Sequence, residues 1–211
     1  MAASVEGALA SLFGRTRGYL AALYELEADQ LQRVLAALLR AEMRRAPFRV
    51  RTVEQESVVT LGPLTLNVRI DRVDELADGT IAIIDYKTGE RATSAGWFGE
   101  RLRDAQVPLY ATQAGATVSA AVVTRLALPE TGYSGFWPDQ SFPGRQSRAA
   151  DLQPAAQLEV WRRQLELLAN EFAAGDTRIF VDAPEDAAGA YAPLTRVFEQ
   201  LALASGATVR W

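Results

Sequence analysis

The sequence predicts an α/β fold, because strand patterns fill the middle of the chain and helical patterns lie on both sides of them. Three antiparallel strands are expected in succession, at Phe48–Leu61, Leu64–Leu76 and Thr80–Tyr86. The turn signals between them are Gly62-Pro63 and Asp78-Gly79. A chain of 211 residues with 49% hydrophobic residues is typical of one domain, or of one domain with an appendage, and supports a sizeable core.

A helical region precedes the strands. Between Tyr19 and Arg45 the apolar residues recur at spacings of three and four, as one face of a helix requires. Asp29 is a candidate cap for a fresh helix start, so one helix or two are expected before Pro47. Arginines crowd the end of this region and the start of the first strand: Arg40, Arg44, Arg45, Arg49 and Arg51. The favoured interpretation is that Arg40, Arg44 and Arg45 complement the helix dipole, and the alternative is a phosphate-binding patch that they share with Arg49 and Arg51.

Further elements are expected after the third strand. A helix is predicted from Trp97 to Ala114, followed by an apolar strand at Val118–Leu128 with a short partner at Tyr133–Trp137. A long helix is predicted from Pro154 to about Ala174, and a short one from Leu194 to Ala204. The single predicted domain therefore has N-terminal helices at 1–47, a sheet core at 48–128 and a helical appendage at 129–211.

The composition excludes several kinds of site. With no Cys and no His, the chain can form no disulfide, thiolate nucleophile, iron–sulfur centre, histidine base or histidine-ligated metal site. The formal net charge is -4 and the pI about 5.1, so any contact with nucleic acid has to come from a local patch. No run approaches the length of a membrane span, and the segment 1–18 lacks a signal-peptide core. A soluble, cytoplasmic protein without a membrane partner is expected.

The single lysine of the chain marks a candidate site. Of the 22 basic residues, all but Lys87 are arginines. Lysine is a compact charge on a flexible stem that can reach a phosphate oxygen or a water, whereas the guanidinium of arginine is a wide planar fork. Lys87 is therefore either a functional ammonium group or a lysine placed by chance.

The hairpin at Asp78-Gly79 has two possible registers. A strict two-residue loop sets Asp71 across from Tyr86 and throws the Asp71 and Asp85 carboxylates onto opposite faces of the sheet. A three-residue loop with a left-handed Gly79 sets Asp71 directly across from Asp85. The pattern of the sequence does not choose between them.

The second register gathers charged side chains on one face: Asp71, Asp85 and Lys87, joined by Glu54 or Glu56 from the first strand. Converging carboxylates bind a hard cation, and Mg²⁺ suits best because it accepts one or two protein carboxylates and keeps waters for substrate oxygens. Such an ion can lower the pKa of its water, while the lysine orients that water or offsets charge in the transition state. This is metal-assisted phosphodiester hydrolysis, and the alternative is a set of ordinary ion pairs at the strand ends.

Three ordered motifs carry a resemblance: Arg69-Ile70-Asp71-Arg72-Val73-Asp74, Ile84-Asp85-Tyr86-Lys87-Thr88-Gly89 and Gln106-Val107-Pro108-Leu109-Tyr110. Together they resemble the RecB-type nuclease domain of the PD-(D/E)XK superfamily, in particular the C-terminal domain of bacterial helicase-like DNA repair proteins. The resemblance runs from Phe48 to Tyr110, and more loosely through the helix that contains Trp161. It implies a restriction-endonuclease-like fold, with a mixed central sheet flanked by helices.

By position, the resemblance implies that Asp71 and Asp85 are metal ligands, that the Tyr86 carbonyl is a backbone ligand and that Lys87 is the catalytic lysine. A glutamate of the first strand often belongs to the family pattern, and the two candidates that remain are Glu54 and Glu56. The resemblance also implies that two residues of the third motif, Gln106 and Tyr110, position the DNA strand and the end of the active-site strand.

Two features depart from the family pattern. Members usually carry a metal-binding His on a helix before the first strand, and this chain has none. Since the segment after Met1 has no globular start, we expect a fragment of a larger protein whose His-bearing helix lay upstream. Many relatives end in a cysteine cluster that binds an iron–sulfur centre, and no Cys remains around Gly189–Phe198. No iron–sulfur cluster is expected, and the C-terminal segment is expected to be held by packing of Leu194, Val197 and Phe198.

The resemblance implies a Mg²⁺- or Mn²⁺-dependent deoxyribonuclease of DNA repair or recombination, with an exonuclease mode expected. Its substrate would be single-stranded DNA, delivered by a helicase-like remainder of the parent protein or by a partner subunit. The alternative is a catalytically inactive nuclease-like module that binds DNA or docks a protein. The complete set of aspartates, lysine, glutamine and tyrosine favours the enzyme, whereas the missing His and Cys favour the inactive module.

Overall fold

The computed structural model describes residues 2–13, 18–89, 93–128, 131–138, 141–144, 146, 153–176 and 178. The helices in these ranges are α1 (Ala2–Phe13), α2 (Tyr19–Glu42), α3 (Gln106–Gln113) and α4 (Pro154–Ala173), with a short 3₁₀ helix at Ala95–Trp97. The strands are β1 (Phe48–Leu61), β2 (Leu64–Leu76), β3 (Ile81–Lys87), β4 (Val118–Arg125) and β5 (Gly132–Phe136). No helix in the described part of the chain is both long and apolar enough to cross a membrane.

The chain divides into two compact units, Met1–Asn170 and Glu171–Trp211. The sheet, the first three helices and most of α4 belong to the first unit. The predicted loop at 182–189, the predicted helix at 194–204 and the packing expected of Leu194, Val197 and Phe198 lie outside the described residues.

The five strands form one mixed sheet in the order β1-β2-β3-β4-β5. β3 and β4 are parallel, while the other three neighbouring pairs are antiparallel. The parallel pair requires a crossover connection, and the segment that makes it contains α3. The predicted α/β fold with a mixed central sheet flanked by helices is confirmed.

The hairpin between β2 and β3 has the three-residue loop. Glu75 pairs with Ile81, and the Leu76 amide donates to the Thr80 carbonyl at 2.8 Å. Gly79 has a φ of +79°, a left-handed conformation that glycine adopts without steric cost. Of the two registers that the sequence allowed, the structure has the one that sets Asp71 across from Asp85.

Both faces of the sheet are covered, and consecutive residues of β3 point to opposite faces. Ile83 packs in the cluster that contains Tyr110 of α3 and Trp161 of α4, and this side is called the α3 face. Ile84 packs in the cluster that contains Ala41 of α2, and this side is called the α2 face. The alternation therefore puts Asp85 and Lys87 on the α3 face and Tyr86 on the α2 face.

The helices of the structure differ from the predicted ones in three places. The predicted helix from Trp97 to Ala114 is wrong over 98–105, because the 3₁₀ helix ends at Trp97 and α3 begins at Gln106. The apolar residues of that segment are buried for another reason, since the Trp97 ring packs edge-on against Trp161 at 5.8 Å. Asp29 starts no second helix and instead pairs with Arg33 at 2.6 Å inside α2. The helix α1 was not predicted at all.

Arg45 is part of the core and not of a phosphate-binding patch. Its guanidinium is fully buried and lies 2.8 Å from Asp74 and 3.1 Å from Glu42. The same group lies 3.8 Å from the ring centroids of Phe48 and Phe142. Neither helix-dipole complementation nor phosphate binding therefore describes Arg45, whose charge is used for internal pairing.

Candidate active site

The first residue of the site, Asp71, lies where β2 and β3 separate. The pair of Arg72 with Ile84 ends the ladder between these strands on this side. Beyond that pair, the Asp71 side chain links the two strands, because its Oδ2 accepts a hydrogen bond from the Tyr86 amide at 2.9 Å. A side chain of β2 thereby reaches the segment of β3 that carries Asp85 and Lys87.

Asp85 and Lys87 form an ion pair next to this point. Asp85 is 1% exposed, and its Oδ2 lies 3.0 Å from the Lys87 Nζ, whose side chain is 34% exposed. The ammonium donates a long hydrogen bond of 3.4 Å to Oδ1 of the same carboxylate. Oδ2 itself is buried, and its contact with the ammonium is an ion pair without the geometry of a hydrogen bond. A buried carboxylate oxygen without a hydrogen-bond donor retains the capacity to bind a cation.

Helix α3 adds two polar side chains to the pair. Lys87 Nζ donates to Gln106 Oε1 at 2.5 Å, and Gln106 Nε2 donates to the Tyr110 hydroxyl at 3.2 Å. The two α3 residues are four apart and share a helix face, as the sequence predicted. A continuous polar chain therefore runs from Asp85 through Lys87 and Gln106 to Tyr110.

Asp104 is a residue of the site that the sequence reasoning missed. Its Oδ1 accepts a hydrogen bond from the Gln106 amide at 3.1 Å, in the manner of an Asx turn that leads into α3. The negative charge of Asp104 acts on the pKa values of both Asp85 and Lys87. An acidic residue just before a helix start was the available signal.

The site carries excess negative charge. Burial raises the pKa of Asp85, the Lys87 ammonium lowers it by less, and the charges of Asp71 and Asp104 raise it further. Burial lowers the pKa of Lys87, but the hydrogen bond and charge of Asp85 raise it together with the charges of Asp104 and Asp71, so that the net shift is upward. For an acid whose pKa is raised on folding, protonation favours the folded state, and this contribution is lost as the pH rises through the raised pKa. Ionised Asp85 therefore lowers the stability of the fold.

The side chains of β2 do not alternate strictly between the two faces of the sheet at the site. Leu66, Val68 and Ile70 pack against the same cluster as Val73, although strict alternation would put Ile70 and Val73 on opposite faces. The pattern therefore shifts by one residue beside Asp71. Such irregularities occur next to active sites, where they redirect a side chain.

Within the described residues, no hydrogen bond or ion pair joins either glutamate of β1 to the aspartates or the lysine. Glu54 lies between Val53, which pairs with Arg72, and Gln55, which pairs with Ile70. It has a φ of +49°, and its exposed carboxylate pairs with the exposed Arg69 at 3.0 Å. Glu56, across from Arg69, is also exposed. The assignment of either glutamate to the metal site stays a prediction.

The donor set fits a hard cation that keeps part of its water shell. Asp71 and Asp85 offer carboxylate oxygens, and the buried Asp85 Oδ2 lacks a hydrogen-bond donor. Among the described residues no group of three or more His, Cys, Asp or Glu side chains is placed to hold a metal ion. An all-protein cage is therefore absent from that part of the chain. Mg²⁺ is bound in proteins by one or two carboxylates with waters, which is the arrangement that two aspartates allow.

A mixed sheet with two aspartates and a lysine at one hairpin, followed by a helix with glutamine and tyrosine, is the arrangement of a nuclease domain. The family model of the PD-(D/E)XK nuclease superfamily matches residues 2–182, and the chain belongs to this superfamily. The fold is accordingly restriction-endonuclease-like. Nucleases of this superfamily generally use divalent metals, and membership implies DNA as the binding partner.

Two other comparisons add little. The solved structure titled "Crystal structure of SSO0001" is similar at 13% identity and a TM-score of 0.32, over 77% of this chain and 84% of that chain. No curated protein matches the sequence.

Proposed function

We propose that this domain is a Mg²⁺- or Mn²⁺-dependent deoxyribonuclease that hydrolyses phosphodiester bonds in DNA. The observation that supports it most is the environment of Lys87, whose ammonium lies 3.0 Å from a buried carboxylate oxygen and 2.5 Å from the Gln106 amide oxygen. A fixed ammonium beside ionisable carboxylates is suited to a reaction in which negative charge increases on a phosphate.

In this proposal Asp71 and Asp85 hold the cation, with the Tyr86 carbonyl as a further ligand. The bound cation would supply Lewis-acid stabilisation and a water of lowered pKa. Lys87 offsets charge on the phosphate or orients the attacking water, and Gln106 orients the lysine. Tyr110 fixes Gln106 in turn through its hydroxyl.

We further propose that the DNA is single-stranded. A cavity of about 220 Å³ lies on the α3 face beside Tyr110, with Arg51, Gln55 and Gln113 among its polar lining residues. Its apolar lining includes the side chain of Ile70. An unstacked base can enter such a cavity and find both apolar surface and hydrogen-bonding groups, whereas a base inside a duplex cannot. Delivery of the strand by a helicase-like remainder or partner, an exonuclease mode and a role in repair or recombination rest on the resemblance alone.

The test of the proposed activity is a cleavage assay with labelled single- and double-stranded DNA, with and without Mn²⁺. We expect cleavage only with the metal, and we expect Asp85→Ala to abolish it because a ligand of the cation is lost. Asp29→Ala removes an exposed carboxylate of α2 and serves as the control with full activity. Binding of DNA without cleavage by the unaltered protein would instead indicate the inactive module.

A second prediction tests the cavity. Thr52 lines it, and the Thr52 Oγ1 is buried without a hydrogen-bond partner. Thr52→Val is expected to weaken binding of single-stranded DNA about fivefold, the effect of one lost hydrogen bond, while stability is unchanged or increased. Fluorescence anisotropy with labelled oligonucleotides measures the first effect, and urea unfolding measures the second.

The matched control is Thr124→Val. Thr124 Oγ1 is likewise buried without a partner, but it belongs to β4 and does not line this cavity. Equal DNA affinities of the two variants would contradict a role of the cavity in binding a base.

A further inference from the structure

The end of β3 that carries Asp85 and Lys87 is held on its β2 side by side chains. Backbone pairing between β2 and β3 ends at Arg72 and Ile84, whereas β3 continues to pair with β4 as far as Lys87 and Arg125. The distance between Asp71 of β2 and the two β3 residues therefore depends on side-chain contacts across the gap.

Two such contacts converge on Tyr86 from opposite faces of the sheet. On the α3 face the Asp71 carboxylate accepts a hydrogen bond from the Tyr86 amide at 2.9 Å. On the α2 face the Arg72 Nη1 donates to the Tyr86 hydroxyl at 3.0 Å. Because Asp71 and Arg72 are consecutive, one short segment of β2 contacts both the backbone and the side chain of one β3 residue.

Arg72 is itself fixed by two carboxylates. Its Nε lies 2.6 Å from Asp74 Oδ1, and its Nη2 lies 2.9 Å from both Asp74 Oδ2 and Glu42 Oε2. The Arg72 side chain is 12% exposed, and its guanidinium carbon lies 5.1 Å from the Phe48 ring centroid. Because the guanidinium is planar and its nitrogen atoms donate to fixed partners, it is held in one orientation.

We propose that Arg72 and Tyr86 form a clamp behind the active site that sets the spacing of the Asp71 and Asp85 carboxylates. This inference rests on the proposed function, since the spacing matters only where the carboxylates share a cation. Arg72 is a positioning residue in this scheme, because its contacts lie on the face opposite to the metal ligands. Asp85 and Lys87 flank Tyr86 in the chain, so a displacement of Tyr86 moves both, and a misplacement of about 1 Å can cost a hundredfold in rate.

Tyr86→Phe tests the clamp, with Tyr133→Phe as its matched control. Both variants remove one phenolic hydroxyl from the same buried network, since the Tyr133 hydroxyl donates to Glu42 at 2.6 Å. Only the Tyr86 hydroxyl binds Arg72 across the gap between β2 and β3. Both variants are expected to lose a similar amount of thermal stability, which makes stability alone uninformative.

The first readout is independent of metal and of activity. Tyr86→Phe is expected to speed hydrogen exchange of the residue 86 amide about tenfold relative to the parent, measured by NMR, because loss of the clamp loosens the hydrogen bond to Asp71. Tyr133→Phe is expected to leave that amide at the parental rate. Equal exchange rates at residue 86 in all three proteins would overturn the clamp.

The second readout is the affinity for Mn²⁺ alone, measured by calorimetry. Tyr86→Phe is expected to weaken binding about fivefold to tenfold and to lower kcat with little change in KM, whereas Tyr133→Phe changes neither. Arg72→Lys keeps the positive charge but not the planar guanidinium, and it is also expected to weaken Mn²⁺ binding and to lower kcat. Parental Mn²⁺ affinity in Tyr86→Phe would overturn the inference, while failure of the unaltered protein to bind Mn²⁺ would overturn the proposed function and leave the exchange result to decide on the clamp.

Discussion

Lys87→Ala is expected to lower kcat for DNA cleavage by about 10²–10³-fold, the cost of removing one preorganised group that stabilises transition-state charge. Affinity for DNA is expected to change little, because Lys87 is one partly buried ammonium engaged with Asp85 and Gln106. A loss in kcat with a nearly constant KM is the signature of an interaction made chiefly in the transition state.

The arrangement around Lys87 also predicts that arginine cannot replace it. The ammonium lies 3.0 Å from Asp85 Oδ2 and 2.5 Å from Gln106 Oε1, so one nitrogen atom occupies the space between these two oxygens. A guanidinium is wider and would have to displace the Gln106 amide. Lys87→Arg is therefore expected to lose nearly as much activity as Lys87→Ala, although the charge is retained.

Single-turnover cleavage with saturating Mn²⁺ measures both variants. Arg33→Ala is the control, because it also removes one positive charge but from an exposed ion pair of α2. Cleavage by Lys87→Ala at the parental rate, with the control equally active, would remove the lysine from the proposed mechanism.

The strands were predictable because their signals are local. The turn signals at Gly62-Pro63 and Asp78-Gly79 fall between alternating apolar runs, and the structure has strands on both sides of each. The register of the second hairpin was not predictable, since Asp78-Gly79 suits both a two-residue and a three-residue loop and a left-handed Gly79 is compatible with each. The choice therefore comes from packing on both faces of the sheet.

The sequence predicted most of the side chains that the structure gathers at the candidate site, but it missed Asp104. The structure brings Asp85, Lys87, Gln106 and Tyr110 into one chain of contacts, with Asp71 bonded to the adjacent amide. Their roles stay predictions. The irregular β1 and β2 segments around Asp71 could not be foreseen, because a shift in facing pattern follows from the twist and bulging of two strands together.

The elements that sequence reasoning missed are those with weak or misleading periodicity. Helix α1 buries only Val5 and Leu9, against a cluster that includes Ala28, so its apolar stripe is too narrow to stand out. Between Trp97 and α3 the opposite error occurred. The buried residues there are Trp97 and Leu102, which are five apart and pack from irregular backbone.

Asp74→Ala is expected to reduce the free energy of unfolding by about 3–5 kcal/mol, the cost of breaking a buried ion pair by removing one partner. Asp74 is fully buried and lies 2.8 Å from Arg45 and 2.6 Å from Arg72, so its loss removes one of the two carboxylates that these guanidinium groups share and leaves Glu42 as the other. Glu75→Ala, at the next residue of β2, is the matched control. Glu75 pairs with Arg49 on the exposed surface, where an ion pair contributes about 1 kcal/mol or less. Urea unfolding followed by tryptophan fluorescence measures both variants, and a loss below about 1 kcal/mol for Asp74→Ala would show that the buried network around Arg45 and Arg72 does not depend on this carboxylate.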